Sequence, residues 1–60
     1  MEPLLETDQA AALISRSGDT LRHWRRTNVG PPWAKIGRRI VYRQSDIERW
    51  IEQQFDKSSA

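Results

Sequence analysis

The chain has 60 residues, a net charge of +2 and no cysteine. That length allows one domain with a small core and leaves little surface for a deep catalytic cleft. Without cysteine there is neither a disulfide framework nor a thiolate metal site. No leader-like start and no apolar run of about 18 residues is present, so a cytoplasmic protein that does not enter membranes is expected.

The charge is segregated along the chain. Residues 1–15 carry Glu2, Glu6 and Asp8 and no base. Residues 16–43 carry Arg16, Arg22, Arg25, Arg26, Lys35, Arg38, Arg39 and Arg43 against Asp19, a balance of +7. Residues 44–60 carry four acids and two bases. A basic block between acidic ends is the electrostatic footprint of a polyanion binder.

Leu4 and Leu5 precede a helix expected to start near Glu6-Thr7-Asp8, with Thr7 as its N-cap and Asp8 set against the helix dipole. Ala10, Leu13 and Ile14 give it an apolar stripe. The small Ala10 and Ala11 leave room for another helix. The run Ser15-Arg16-Ser17-Gly18 reads as a turn. Ser17 is placed to cap a second helix ending near Arg26. Its inward face is Leu21 and Trp24, and its outward stripe is Asp19, Arg22, His23 and Arg26. Two short helices joined through a Gly-containing turn form a helix-turn-helix pattern.

Thr27-Asn28-Val29-Gly30-Pro31-Pro32 stops that helix, since Asn28 or Gly30 can turn left-handed and the prolines cannot continue it. Trp33-Ala34-Lys35-Ile36 and Arg39-Ile40-Val41-Tyr42-Arg43 read as two strands around Gly37-Arg38. Ile40 and Tyr42 are expected to face the core, leaving Arg39, Val41 and Arg43 outward. Ser45-Asp46-Ile47-Glu48 reads as a capping box. Ile47, Trp50, Ile51 and Phe55 then form the apolar stripe of a last helix that closes the core. A tail from Lys57 to Ala60 is expected to fray. The fold class is therefore mainly α with a small β-hairpin, a winged helix-turn-helix over residues 1–60 with its ordered core at about 4–55.

A helix fits the major groove of duplex DNA, where base edges present distinguishable donors and acceptors. The second helix offers Arg22 and Arg26 for guanine edges and His23 for a base or a phosphate, with Arg25 for phosphates and Thr20 for either a phosphate or the helix start. The hairpin offers Arg38 at its tip for the backbone or a narrow minor groove and Lys35, Arg39 and Arg43 for phosphates. Asp19 is read as an acid favouring the helix dipole. Trp24 and Trp50 are assigned to the core, and so are Trp33 and Tyr42 in preference to stacking on bases. His23 stands without cysteine or a second histidine, so neither a metal nor any other cofactor is expected. No nucleophile–base pair and no phosphate-cradling glycine loop appears, so no enzymatic activity is expected.

The series Leu4-Leu5, Gln9-Ala10-Ala11, Ser17, Thr20-Leu21, Trp24-Arg25, Gly30-Pro31-Pro32-Trp33, Ile36-Gly37-Arg38, Tyr42-Arg43, Asp46-Ile47 and Trp50 resembles the excisionase-type members of the MerR-like winged helix-turn-helix superfamily. The resemblance covers about Leu4 to Ile51. It implies a recognition helix in the major groove and a wing in the minor groove of double-stranded DNA. It further implies an architectural factor from a phage or mobile element in a bacterial host. Several copies would bind adjacent sites, bend DNA and direct a tyrosine integrase toward excision. A small transcriptional regulator binding a promoter is the alternative within the family, and a protein-interaction adaptor using the acidic last helix is one outside it. The chain departs from the pattern in three places. The turn, usually Gly-Val-Ser-Pro, reads Ser15-Arg16-Ser17-Gly18. Glu6 stands where Thr or Ser usually begins the first helix. Val41 replaces a commonly polar residue, open to a contact between neighbouring copies.

Overall fold

Helix signals and turn chemistry divide the chain where the sequence suggests, and a computed structural model describes residues 2–58. In order these are β1 (Leu4–Leu5), α1 (Thr7–Leu13), α2 (Gly18–Thr27), β2 (Ala34–Ile36), β3 (Arg39–Arg43) and α3 (Gln44–Ser58). The fold is a winged helix-turn-helix.

The α1–α2 corner is built from backbone geometry. Ser15 takes the left-handed conformation at φ 59°, where L side chains carry a steric penalty. With it, Ser15 N–H reaches the Ala12 carbonyl at 3.2 Å and Arg16 N–H the Ala11 carbonyl at 2.9 Å. This pair of bonds is a Schellman closure of α1. Ser17 then caps α2, its hydroxyl accepting from Thr20 N–H at 3.3 Å. At the far end Asn28 turns left-handed at φ 61°, and Val29 N–H returns to the Trp24 carbonyl at 3.0 Å. Gly30 follows at φ 88°, and any Cβ there would press into the Trp24 ring. Glycine is thus required twice over at this position, by dihedral and by space.

Two caps differ from expectation. α1 begins at Glu6 and not Thr7: Gln9 accepts from Glu6 N–H at 2.9 Å. Glu6 can head the helix because a carboxylate suits its positive end. Thr7, freed from capping, accepts from Arg25 Nη1 at 3.2 Å. α3 begins directly at Gln44, one residue before Ser45. Ser45 caps nothing; its N–H and hydroxyl both donate to the Glu2 carboxylate, at 3.0 and 2.9 Å. The first of these bonds, reinforced by the second, holds the Glu2 carboxyl below the usual carboxylate range.

The sheet has three strands in the order β1-β3-β2, all antiparallel. β2 and β3 form the expected hairpin, with Lys35 opposite Ile40 and Ile36 opposite Arg39. β1 was not expected as a strand. Leu4 pairs with Arg43 and Leu5 with Tyr42, so the amino-terminal segment covers the free edge of β3, which the hairpin alone would leave open.

The core is small. Ala10, Ala11, Leu21, Tyr42 and Ile47 are each at most 1% exposed, with Leu5, Ile14, Trp24, Ile40 and Ile51 packed around them. The two alanines bring α1 against its neighbours as their size suggested. Trp24 and Trp50 are half-buried and meet with their rings tilted, centroids 5.5 Å apart at 47°.

Three apolar expectations are corrected. Phe55 is 69% exposed, because α1 is only seven residues long and ends before it can cover that turn of α3. Phe55 instead edges a surface groove of about 700 Å³ lined by Leu13, Ile14, Trp24, Trp50 and Ile51. Trp33 is 43% exposed and not core, lying just ahead of β2. Val41 is half-buried beside Leu4, Trp33 and Ile36. At the carboxyl end the helix runs on through Lys57 and Ser58 where a tail was expected. The remainder of that tail, Ser59 and Ala60, lies outside the described residues.

Candidate nucleic-acid interface

α2 carries the outward stripe of the sequence pattern. Asp19, Arg22, His23 and Arg26 are all exposed, while Leu21 is buried and Trp24 half-buried. Ser17 and Asn28 fix the two ends of this helix, so the stripe has a defined length and direction. Thr20 lies on its flank beside Trp24, with its hydroxyl 3.1 Å from that of Ser17. Arg25 turns inward. Its Nη1 donates to Thr7 Oγ1 and to the Tyr42 hydroxyl, the latter at 2.9 Å. Its guanidinium carbon stands 6.0 Å from the centre of the Trp33 ring, within cation–π reach. Arg25 thus fastens α2 to the sheet.

The wing turns through Gly37 at φ 62°. Lys35, Arg38 and Arg39 are exposed around that turn, and Arg43 lies at the foot of β3. Arg39 returns toward the helices, and it shares a cleft of about 290 Å³ with Arg22, lined also by Glu6, Asp8, Gln9 and Ile40. Helix α2 and strand β3 therefore bring one arginine each to the same depression.

Much of the basic segment is already paired with acids. Arg22 donates from Nη1 to Asp19 at 2.8 Å and stands 3.9 Å from Asp8 through Nη2. Arg39 pairs with Glu6. Arg43 Nε donates to Asp46 at 2.8 Å, and Arg49 approaches the other oxygen of the same carboxylate at 3.7 Å. The hydrogen bond to Asp46, followed by its charge, raises the Arg43 pKa. Asp46 is 8% exposed; two flanking guanidiniums make burial of its charge tolerable. Among the described residues, Arg16, His23, Arg26, Lys35 and Arg38 make no ion pair with an acid.

The sequence pattern assigns Asp8 and Asp19 to helix dipoles and Asp46 to a capping box, and pairs none of these acids with an arginine. Asp19 and Asp46 could have been found, because each lies three residues from its arginine, an interacting spacing on a helix. Glu6 and Asp8 carry no local signal, since their partners come from other elements.

Among the described residues no group of acids, histidines or cysteines is placed to hold a metal, and no helix is long and apolar enough to cross a membrane. Residues 4–55 match the family model of a helix-turn-helix domain. The chain belongs to that helix-turn-helix family. It is a DNA-binding family that includes excisionase-like proteins, so this helix-turn-helix protein has double-stranded DNA as its partner. No curated protein and no solved structure matches the chain.

Proposed function

We propose that this protein is an excisionase-type architectural factor, one that binds neighbouring sites in several copies, bends the duplex and directs a tyrosine integrase toward excision. The observation carrying the proposal is the pairing of two exposed cationic probes on one rigid frame. Arg22, His23 and Arg26 stand on α2, and Arg38 stands at the turn of the wing. A helix is dimensioned for the major groove and reads its edges. An arginine at a hairpin tip suits a narrow minor groove. The family resemblance along Leu4 to Ile51 supplies the excisionase part of the reading.

In this proposal Arg22, His23 and Arg26 read bases. Lys35, Arg39 and Arg43 hold phosphates, which fix register without reading sequence. Thr20 and Arg25 support the helix from behind. Tyrosine integrases need DNA folded into a defined path, and a non-catalytic factor can supply that path through bending.

The test is excision in vitro with a tyrosine integrase whose gene and attachment site lie beside this one, together with gel-mobility phasing of the bound sites. Excision that depends on this protein, with bent DNA, supports the proposal. Tight binding at a promoter without bending and without effect on excision overturns it in favour of a transcriptional regulator. Neutralising about five phosphates gives a log–log salt slope near −4 to −5. DNA affinity that is absent or indifferent to salt leaves an adaptor role.

A further inference from the structure

Arg22, in the outward stripe of α2, has two carboxylates beside it. Asp19 comes from its own helix at 2.8 Å and Asp8 from α1 at 3.9 Å. Both acids are on the surface, with side chains 93% and 82% exposed, and Arg22 itself is 48% exposed. Gly18 opens α2, and a Cβ there would overlap the Asp8 carboxylate oxygen. A glycine at this position leaves the space that Asp8 occupies over the first turn of α2.

Exposed ion pairs contribute little to stability, so stability alone gives this arrangement a weak rationale. Its effect on what Arg22 can bind is larger. A guanidinium has five N–H donors, and Asp19 takes one of them. Those remaining can reach guanine O6 and N7, which are uncharged acceptors. A phosphate on the same donors would lie within a few ångström of two carboxylates and be repelled by both.

We infer that Asp8 and Asp19 are specificity-determining residues, which keep Arg22 on base edges by making it a poor phosphate anchor. The inference rests on the DNA-binding reading above. At a cognate site Arg22 keeps its acids and gains a base. At an unrelated site only the phosphate is on offer, and the acids oppose it. Arg39, with one acid, and Arg38, with none among the described residues, are left to hold the backbone.

The experiment compares the full chain with D8N/D19N, with G18A and with E52Q. Glu52 is an exposed acid on α3 outside the cleft, and its loss reports the effect of one unit of net charge, half the change in D8N/D19N. Each protein is titrated over a salt series against two duplexes, a cognate selected from a random library by the parent and an unrelated one of equal length. Thermal melting of each variant checks that it is folded.

For D8N/D19N, affinity for the unrelated duplex is expected to rise about tenfold, with a salt slope steeper by about 0.9 for one more phosphate engaged. Affinity for the cognate changes by less than about threefold, so the specificity ratio falls. G18A retains every charge but displaces Asp8, and lowers the ratio in the same direction by a smaller factor. E52Q leaves the ratio unchanged. An equal rise on both duplexes, in D8N/D19N as in E52Q, would show a mere net-charge effect and overturn the inference. So would an unchanged ratio in D8N/D19N. If the parent itself binds no duplex, the DNA reading falls and takes this inference with it. If the parent discriminates and the variants discriminate equally, only this inference falls.

Discussion

Arg25 and Tyr42 share a hydrogen bond, Nη1 to the hydroxyl oxygen at 2.9 Å, that joins α2 to β3, the central strand of the sheet. Tyr42 is 1% exposed and Arg25 half-buried, so the bond is largely shielded from water. Helix α2 and the hairpin are thereby tied together by a residue that sits on the basic segment and faces inward.

Tyr42→Phe removes that acceptor and keeps the ring. Stability measured by urea denaturation is expected to fall by about 1 kcal/mol, the usual worth of such a bond. The salt slope of DNA binding should stay the same, because no phosphate contact is lost. Arg25→Ala should destabilise further. Should it also flatten the slope by about 0.9, Arg25 holds a phosphate as well.

Ser15 at φ 59° is a non-glycine residue in a left-handed position. Ser15→Gly relieves the steric penalty at the helix corner and is expected to raise stability by about 0.5–1 kcal/mol, net of the added freedom of the unfolded chain. An unchanged or lower urea midpoint would count against the Schellman closure described for α1.

Ile47 is fully buried, at 0% exposure. Ile47→Ala should cost about 2–5 kcal/mol. A chain of this size has a total of about 3–9 kcal/mol, so circular dichroism at 37 °C should show a substantial unfolded fraction.

Glu2 gives the acid limb of the stability profile a definite sign. Its carboxyl titrates lower in the folded state than in the unfolded chain because Ser45 donates to it. Its contribution is therefore fully present above the unfolded value of about 4.3 and lost as pH falls through the folded one. Thermal melts of Glu2→Gln should lie below those of the parent at pH 6 and converge with them toward pH 2.

Arg38 stands at the wing tip with no ion pair among the described residues. Arg38→Ala should weaken binding most on duplexes with a narrow, A-tract minor groove. Equal weakening on A-tract and mixed duplexes, measured by fluorescence anisotropy, would make it a plain phosphate contact.

The elements most legible in the sequence were those signalled within one short window. Ser17 announced α2, Gly37 announced the wing, and the spacing of Leu21 and Trp24 named the inward face. What escaped the sequence depends on residues far apart in the chain. β1 is two residues long and exists only because Leu4 and Leu5 find β3 some 38 positions later. Phe55 followed the stripe of α3 faithfully, yet periodicity cannot tell where the covering helix runs out. Trp33 reads as core on its size, yet it lies just ahead of β2 and stays 43% exposed. In the site, the stripe of bases was readable, but the inward turn of Arg25 needed the position of Tyr42. The pairing of Arg39 with Glu6 needed the whole fold.

Glu2, anchored on Ser45, and β1, laid along β3, also bear on how the protein is handled. A tag or fusion placed ahead of Met1 lengthens the very segment that seals α3 and the sheet edge, and trimming the first five residues removes both seals together. Protease sensitivity should accordingly rise on amino-terminal truncation. Loss of activity in such a derivative would report a loosened scaffold, with every DNA-facing side chain still in the chain.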